Sequence, residues 1–247
     1  MKRIKRAAFL LAVMLCLITL AGCGEKITAE SLLKGAGEAP GMRANLSVSA
    51  ELLSGTRKQT AAYSGTLAAK DYVRYMKGDA RQGSMDLDLE YYIRYVPEAA
   101  KESCLELYNY RPNDGIWAFN PYKDTMITHR ELFSSIENVN LAPAQKDTTS
   151  YTVTGEIPLE AIRSFAELPC CGPGTAAVIL QMPDDQKLHA EIVFNAMNKM
   201  PTSITCTLPA PVELRSSSLE IFTVELRITD MNLTSLEIPP EVLAAGK

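Results

Sequence analysis

The sequence predicts an α+β fold: one extended, twisted antiparallel sheet carrying a few helices on a single face. Two observations predict it. Apolar and polar residues alternate with a period of two in run after run between Arg43 and Thr229, and a few short stretches between those runs shift to helical spacing. A third observation supplies the connections, because Gly55, Gly78, Pro112, Asn113, Asp114 and Gly115 fall between runs where turns would join successive hairpins.

The chain opens with Lys2, Arg3, Lys5 and Arg6, continues through an apolar run from Ala7 to Leu20 broken only by Thr19, and reaches Cys23 through small residues. A basic start, an apolar middle and a small-residue end are the order of a secretory signal. The run is shorter than the roughly 20 residues a spanning helix needs, so it reads as removable. Leu20, Ala21, Gly22 and Cys23 resemble the lipobox of bacterial lipoproteins. That resemblance implies cleavage between Gly22 and Cys23 and a diacylglycerol on the Cys23 thiol, and paired acyl chains hold a protein at a membrane where one chain does not. The expected organisation is a lipoprotein signal peptide over 1–22, a short lipid-anchored tether over 23–30 and one β-rich domain over 31–247. The expected location is the extracytoplasmic face of the cell membrane.

Loss of the four basic leader residues takes the formal charge from −4 to −8. Such an acidic body argues against nucleic acid and anionic headgroups as surface partners. Of the six cysteines, Cys16 leaves with the leader and Cys23 is the lipid site, so Cys104, Cys170, Cys171 and Cys206 remain. Adjacent Cys170 and Cys171 suit a mutual disulfide poorly. A Cys104 to Cys206 bridge and buried free thiols both stay open.

In chain order, Thr28 caps a helix whose apolar residues are Ala29, Leu32, Leu33 and Ala36, ending at Gly35 or Gly37. From Arg43 to Leu52 the alternation places Ala44, Leu46, Val48, Ala50 and Leu52 on one face. It is strongest from Met85 to Tyr95, where Leu87, Leu89, Tyr91 and Ile93 oppose Asp86, Asp88 and Glu90. Shorter strands are expected at Ala62 to Ala69, Tyr72 to Met76, Cys104 to Tyr110 and Ile116 to Phe119. Thr128 and Glu131 have capping-box spacing before Leu132, Phe133, Ile136 and Val139 at helical intervals. After a linker from Asn140 to Thr149, a strand over Tyr151 to Ile157 leads into a helix begun by Pro158, with Ala161, Ile162, Phe165 and Ala166 as its stripe. Four more strands are expected: Thr175 to Met182, Leu188 to Asn195, Thr202 to Leu208 and Leu219 to Thr229.

Motifs that would carry chemistry are absent. There is no nucleophile elbow, dinucleotide fingerprint, phosphate loop or zinc-protease helix. His189, Ala190 and Glu191 have the form of a zinc-deaminase motif, but Cys170 and Cys171 precede them and lack the required separation. His189 alternates outward from an apolar strand, and His129 in a helix's first turn reads as a surface residue. Asp86, Asp88 and Glu90 lie on one solvated strand face without a loop to wrap an ion. The methionines, among them Met85, Met126, Met182, Met197, Met200 and Met231, read as core fillers. No catalytic residue, metal or cofactor is expected, and the chain is expected not to be an enzyme.

The lipobox signal, the first helix around Ala29 to Gly35, the alternating strands and the closing Leu236-Glu237-Ile238-Pro239-Pro240-Glu241-Val242 together resemble the lipoprotein-carrier-like lipoproteins, the LolA, LolB and LppX type, and Gram-positive lipoproteins of the same architecture. The resemblance implies a strongly curved antiparallel sheet forming an incomplete β-barrel, with helices against its concave face and an apolar cavity between them. It carries over no functional residue except Cys23. The function this implies is non-enzymatic binding of a lipid or other hydrophobic ligand, with Leu46, Val48, Leu87, Leu89, Phe222 and Leu226 lining the pocket. The alternative is a structural or protein-interaction lipoprotein of the cell envelope with a closed core and no ligand.

Overall fold

The computed structural model describes residues 27–96, 105–122, 126–142, 149–166, 181–183, 185–214 and 217–246. The leader, Gly22, Cys23, Cys104, Cys170, Cys171 and all but the end of the expected Thr175 to Met182 strand lie outside the described residues. Within them, the alternating runs become strands. β1 (Met42–Ser54), β2 (Arg57–Lys70), β3 (Val73–Gln82), β4 (Met85–Tyr95), β5 (Leu105–Arg111) and β6 (Ile116–Tyr122) form a meander. β7 (Glu137–Leu141), β8 (Ser150–Pro158), β9 (Lys187–Asn195) and β10 (Pro201–Thr207) follow, then the two-residue β11 (Val212–Glu213) and the long β12 (Ser218–Asp230). The order is β6-β5-β4-β3-β2-β1-β12-β10-β9-β8-β7, with β11 beside β12, so twelve strands make one antiparallel sheet that is not closed.

Among the described residues four short helices accompany it: α1 (Ala29–Gly37), α2 (His129–Ser134), α3 (Leu159–Ala166) and α4 (Pro240–Leu243). Thr28 caps α1, its hydroxyl accepting from Ser31 N at 3.1 Å while Ser31 Oγ accepts from Thr28 N at 3.1 Å. Thr128 and Glu131 close the expected capping box on α2 at 3.2 and 2.6 Å. Leu32 and Leu33 of α1, Leu132 and Phe133 of α2, and Leu159 and Ile162 of α3 share one core with the sheet's apolar face. That face runs from Ile93 through Met76, Leu67, Leu46, Leu226, Ile204 and Ile192 to Val153.

The structure departs from the expected layout of strands, helices and core fillers, each time for a physical reason. Gly78, expected in a turn, sits inside β3 opposite Gly65. A Cβ on Gly78 would stand 2.2 Å from Ser64 O and 2.5 Å from Gly65 Cα, so only a glycine pair lets these strands approach. The second helix ends at Ser134 instead of reaching Val139. Backbone pairing with β8 claims residues 137–141, Asn138 turns at a φ of 52°, and β-branched Val139 joins the strand.

The helices also do not keep to one face. Ile238, Val242 and Leu243 around α4 pack against Val73, Tyr92, Tyr108, Trp117 and Phe119, a group separate from the main core. Residues 92 and 108 point away from the side that buries Ile93 and Leu105, so α4 covers the opposite face. Lastly, Met85 and Met197 are not core fillers: they are 54% and 94% exposed, at a strand end and a hairpin tip. Met126, Met182 and Met231 are buried as expected.

Candidate functional site

An apolar groove lies where α1, α2 and β7 meet, with a cavity volume of about 430 Å³. Its floor is Leu33, Phe133, Ile136 and Val139, and its rim carries Glu30, Lys34, Glu38 and Arg130. The helical spacing of α1 sets this division, because Leu33 turns toward the core while Glu30, Lys34 and Glu38 stay at the surface. Two contacts order the rim: Lys34 Nζ stands 3.9 Å from Glu38 Oε1, and Arg130 Nε donates to Gly37 O at 3.3 Å. The groove can take a slender apolar group on its floor and a polar group of either sign at its lip.

Beside it is a buried polar cluster. Arg74 on β3 is 0% exposed, aligned with Met76 on the apolar face of the strand. Its Nη1 donates to Asp71 O at 3.0 Å and Val73 O at 3.2 Å, and its Nη2 donates to Ile127 O. Ile127 N in turn donates to Ser164 Oγ on α3 at 3.1 Å. The guanidinium thus fixes the residues that lead into α2. His129, expected at the surface, is 4% exposed because α1 packs over α2. Its Nε2 donates to Ala39 O at 2.6 Å, since a carbonyl can only accept, and the buried Nδ1 is without a hydrogen-bond partner. Burial holds the imidazole below its ordinary pKa; the Arg74 and Arg130 cations add to this, while the Ala39 bond and Asp71 pull the other way.

The six side chains expected to line a pocket are split by position. Leu46, Val48, Phe222 and Leu226 are 1%, 1%, 0% and 1% exposed in the main core, while Leu87 and Leu89 are half-buried toward one end of the sheet. The floor of the groove comes instead from residues that helical spacing assigned only to packing, and its rim from charged residues on the outer side of the same helices. Arg74 was also findable: the alternation of β3 puts a charge in phase with Met76. His129 carried no such signal, because its burial depends on a helix ninety residues earlier.

Other expected features are placed as follows. His189 is exposed on β9. Asp86 pairs with Arg81 at 2.8 Å and Glu90 with Lys77 at 3.0 Å, while Asp88 stands opposite Asp79 on the solvated face of β4 and β3. Cys206 is a buried free thiol whose pKa burial pushes up to about 12. Among the described residues, no group of three or more His, Cys, Asp or Glu side chains is placed to hold a metal ion, and no helix is long and apolar enough to cross a membrane.

Neither a protein-family model nor a curated protein matches the chain. Among solved structures it is similar to a DUF1329 family protein from Desulfovibrio piger ATCC 29098, at 5% identity and a TM-score of 0.29 over 84% of this chain and 95% of that one. It is also similar to an outer membrane lipoprotein-sorting protein domain from Vibrio parahaemolyticus, at 10% identity and a TM-score of 0.29 over 85% of this chain and 92% of that one.

Proposed function

We propose that this chain is a lipoprotein held on the extracytoplasmic face of the cell membrane through Cys23, and that it binds a single acyl chain of a lipid without catalysing a reaction. The observation that carries the binding is the groove between α1 and α2. Its roughly 430 Å³ fall within the range of about 300–1,000 Å³ common for small-ligand sites, its floor is apolar, and paired charges at its lip can meet a headgroup. Its place in the chain supports the same occupant. Ala29, where α1 begins, follows the proposed lipid site by six residues, a reach of at most about 20 Å, so the groove stays near the bilayer. We place the helices α1 to α3 on the concave side of a curved, incomplete barrel. The open sheet, the shared core and the close Gly65–Gly78 approach support that reading.

Protein purified without detergent should carry lipid in native mass spectrometry and take up a fluorescent fatty acid. Leu33→Glu, which puts a charge on the groove floor, should abolish uptake. No co-purified lipid together with no uptake by the unaltered protein would overturn the reading. Membrane fractionation tests the anchor separately, since Cys23→Ala should move the protein into the soluble fraction.

A second reading is favoured by one observation. Leu46, Val48, Phe222 and Leu226 are so fully covered that the core around them is filled, as a scaffold that docks a protein partner would need. Absence of lipid with an intact fold would select it.

A further inference from the structure

We propose that His129 and Arg74 form an acid-sensitive latch that releases α1 and α2 from the sheet when His129 takes up a proton. The latch stands whether or not the groove holds a ligand. Its geometry joins three layers. Arg74, on the sheet, holds Ile127 at the entrance to α2, and His129, at the start of α2, holds Ala39 at the exit of α1. Helices of nine and six residues do not persist alone in water, so their position depends on such ties and on the apolar contacts behind them. The sheet depends on neither, because long ladders such as β1 with β12 and β1 with β2 hold it.

Neutral His129 fits this site and the protonated form does not. The neutral ring donates once, from Nε2, and that bond is made. Protonation adds an N–H at Nδ1, where the buried site offers no acceptor, and adds a positive charge beside Arg74. Every charged group that faces the ring is already engaged or of the wrong sign. Glu38 at the end of α1 is near Lys34, Asp71 between β2 and β3 pairs with Lys70 at 3.0 Å, and Glu131 of α2 accepts from Thr128 N at 2.6 Å. Arg74 from β3 and Arg130 from α2 are cations, as is Lys70.

The sign follows from the lowered pKa of the docked form. Above the ordinary imidazole value of about 6.5 the ring is neutral whether the helices are docked or released, and docking is complete. Below it the released form binds the proton and the docked form does not, so release grows by up to about tenfold per pH unit.

Hydrogen exchange of the full-length protein, corrected for the intrinsic pH dependence of exchange, tests this between pH 7.5 and 5. Residues 29–37 and 129–134 should lose at least tenfold of their protection on acidification, while β1 and β12 keep theirs. His129→Gln, whose amide can still donate to Ala39 O but does not titrate, should hold α1 and α2 protected at pH 5. Equal loss in wild type and variant, or no loss in wild type, overturns the latch. Should the Gln variant leave α1 and α2 open at every pH, an NMR titration decides. In a His189→Asn background the one remaining imidazole signal should titrate below pH 6.5, and titration at or above that value overturns the proposal.

Discussion

The sheet has two sides of β1 that close their surfaces differently. From β12 through β10, β9 and β8, one face is sealed by side chains such as Phe222, Val224, Ile204, Ile192, Phe194 and Val153, and the other face is largely polar. From β3 to β6, the same inner face is only half-covered at Leu87, Leu89, Tyr91 and Leu107. There the outer face is the elaborated one. Tyr75, Tyr92, Tyr108 and Phe119 pair directly across four strands, the rings of Tyr75 and Tyr92 lie 4.7 Å apart, and those of Tyr108 and Phe119 lie 5.2 Å apart. α4 lies over this row, and the pairs Lys77 with Glu90 and Arg94 with Glu106 flank it. Burial with a proximate carboxylate raises the Tyr75 pKa, Glu90 accepting its hydroxyl proton at 2.9 Å. One half therefore buries a single face deeply, and the other spreads its burial over two.

Substitutions can break this contrast, and the largest effect belongs to the sealed half. Phe222→Ala should cost about 3–5 kcal/mol in urea unfolding; a loss near 1 would mean that the sealed core relaxes as freely as the open side. Next, Gly78→Ala forces a Cβ into backbone at the Gly65 crossing and should cost about 1–3 kcal/mol, with the backbone shift visible as chemical-shift changes in β2 and β3. Val242→Ala removes two buried methyl groups from α4, worth about 1.5 kcal/mol, and its near-ultraviolet circular dichroism should report loosened Tyr92 and Trp117. Leu89→Ala, on the half-covered face, should cost only about 1 kcal/mol; a cost equal to that of Phe222→Ala would erase the distinction between the halves. Smallest is the pair Arg94 with Glu106, partly exposed, for which a double-mutant cycle should give less than about 1 kcal/mol, shrinking in high salt.

The sealed half was the more legible in the sequence. A strand that buries one face writes its alternation plainly, which is why Leu188 to Asn195 and Leu219 to Thr229 match β9 and β12 to within two residues. β4 matches its expected bounds as well, yet its Tyr92 is legible only once register puts it beside Tyr75 and Tyr108. Tyrosine is amphipathic, so alternation alone does not show which face it buries. The groove was half-legible: the N-cap at Thr28 and the capping-box spacing at Thr128 located both helices, but their pairing is a tertiary fact. Neither Arg74's carbonyl partners nor the burial of His129 follows from local spacing.

The pairing of β1 with β12 also governs the order in which the chain can fold. Thr229 Oγ1 donates to Arg43 O across 186 residues, at the centre of the sheet. The β1 to β6 meander can zip through neighbouring hairpins, but β1 keeps one unpaired edge until β12 arrives, and β12 comes last of the strands. An unpaired, apolar edge in a partly folded chain is a template for wrong partners. Assembly of this protein is therefore exposed to aggregation longest at its own middle, and closure there is the slow, non-local step.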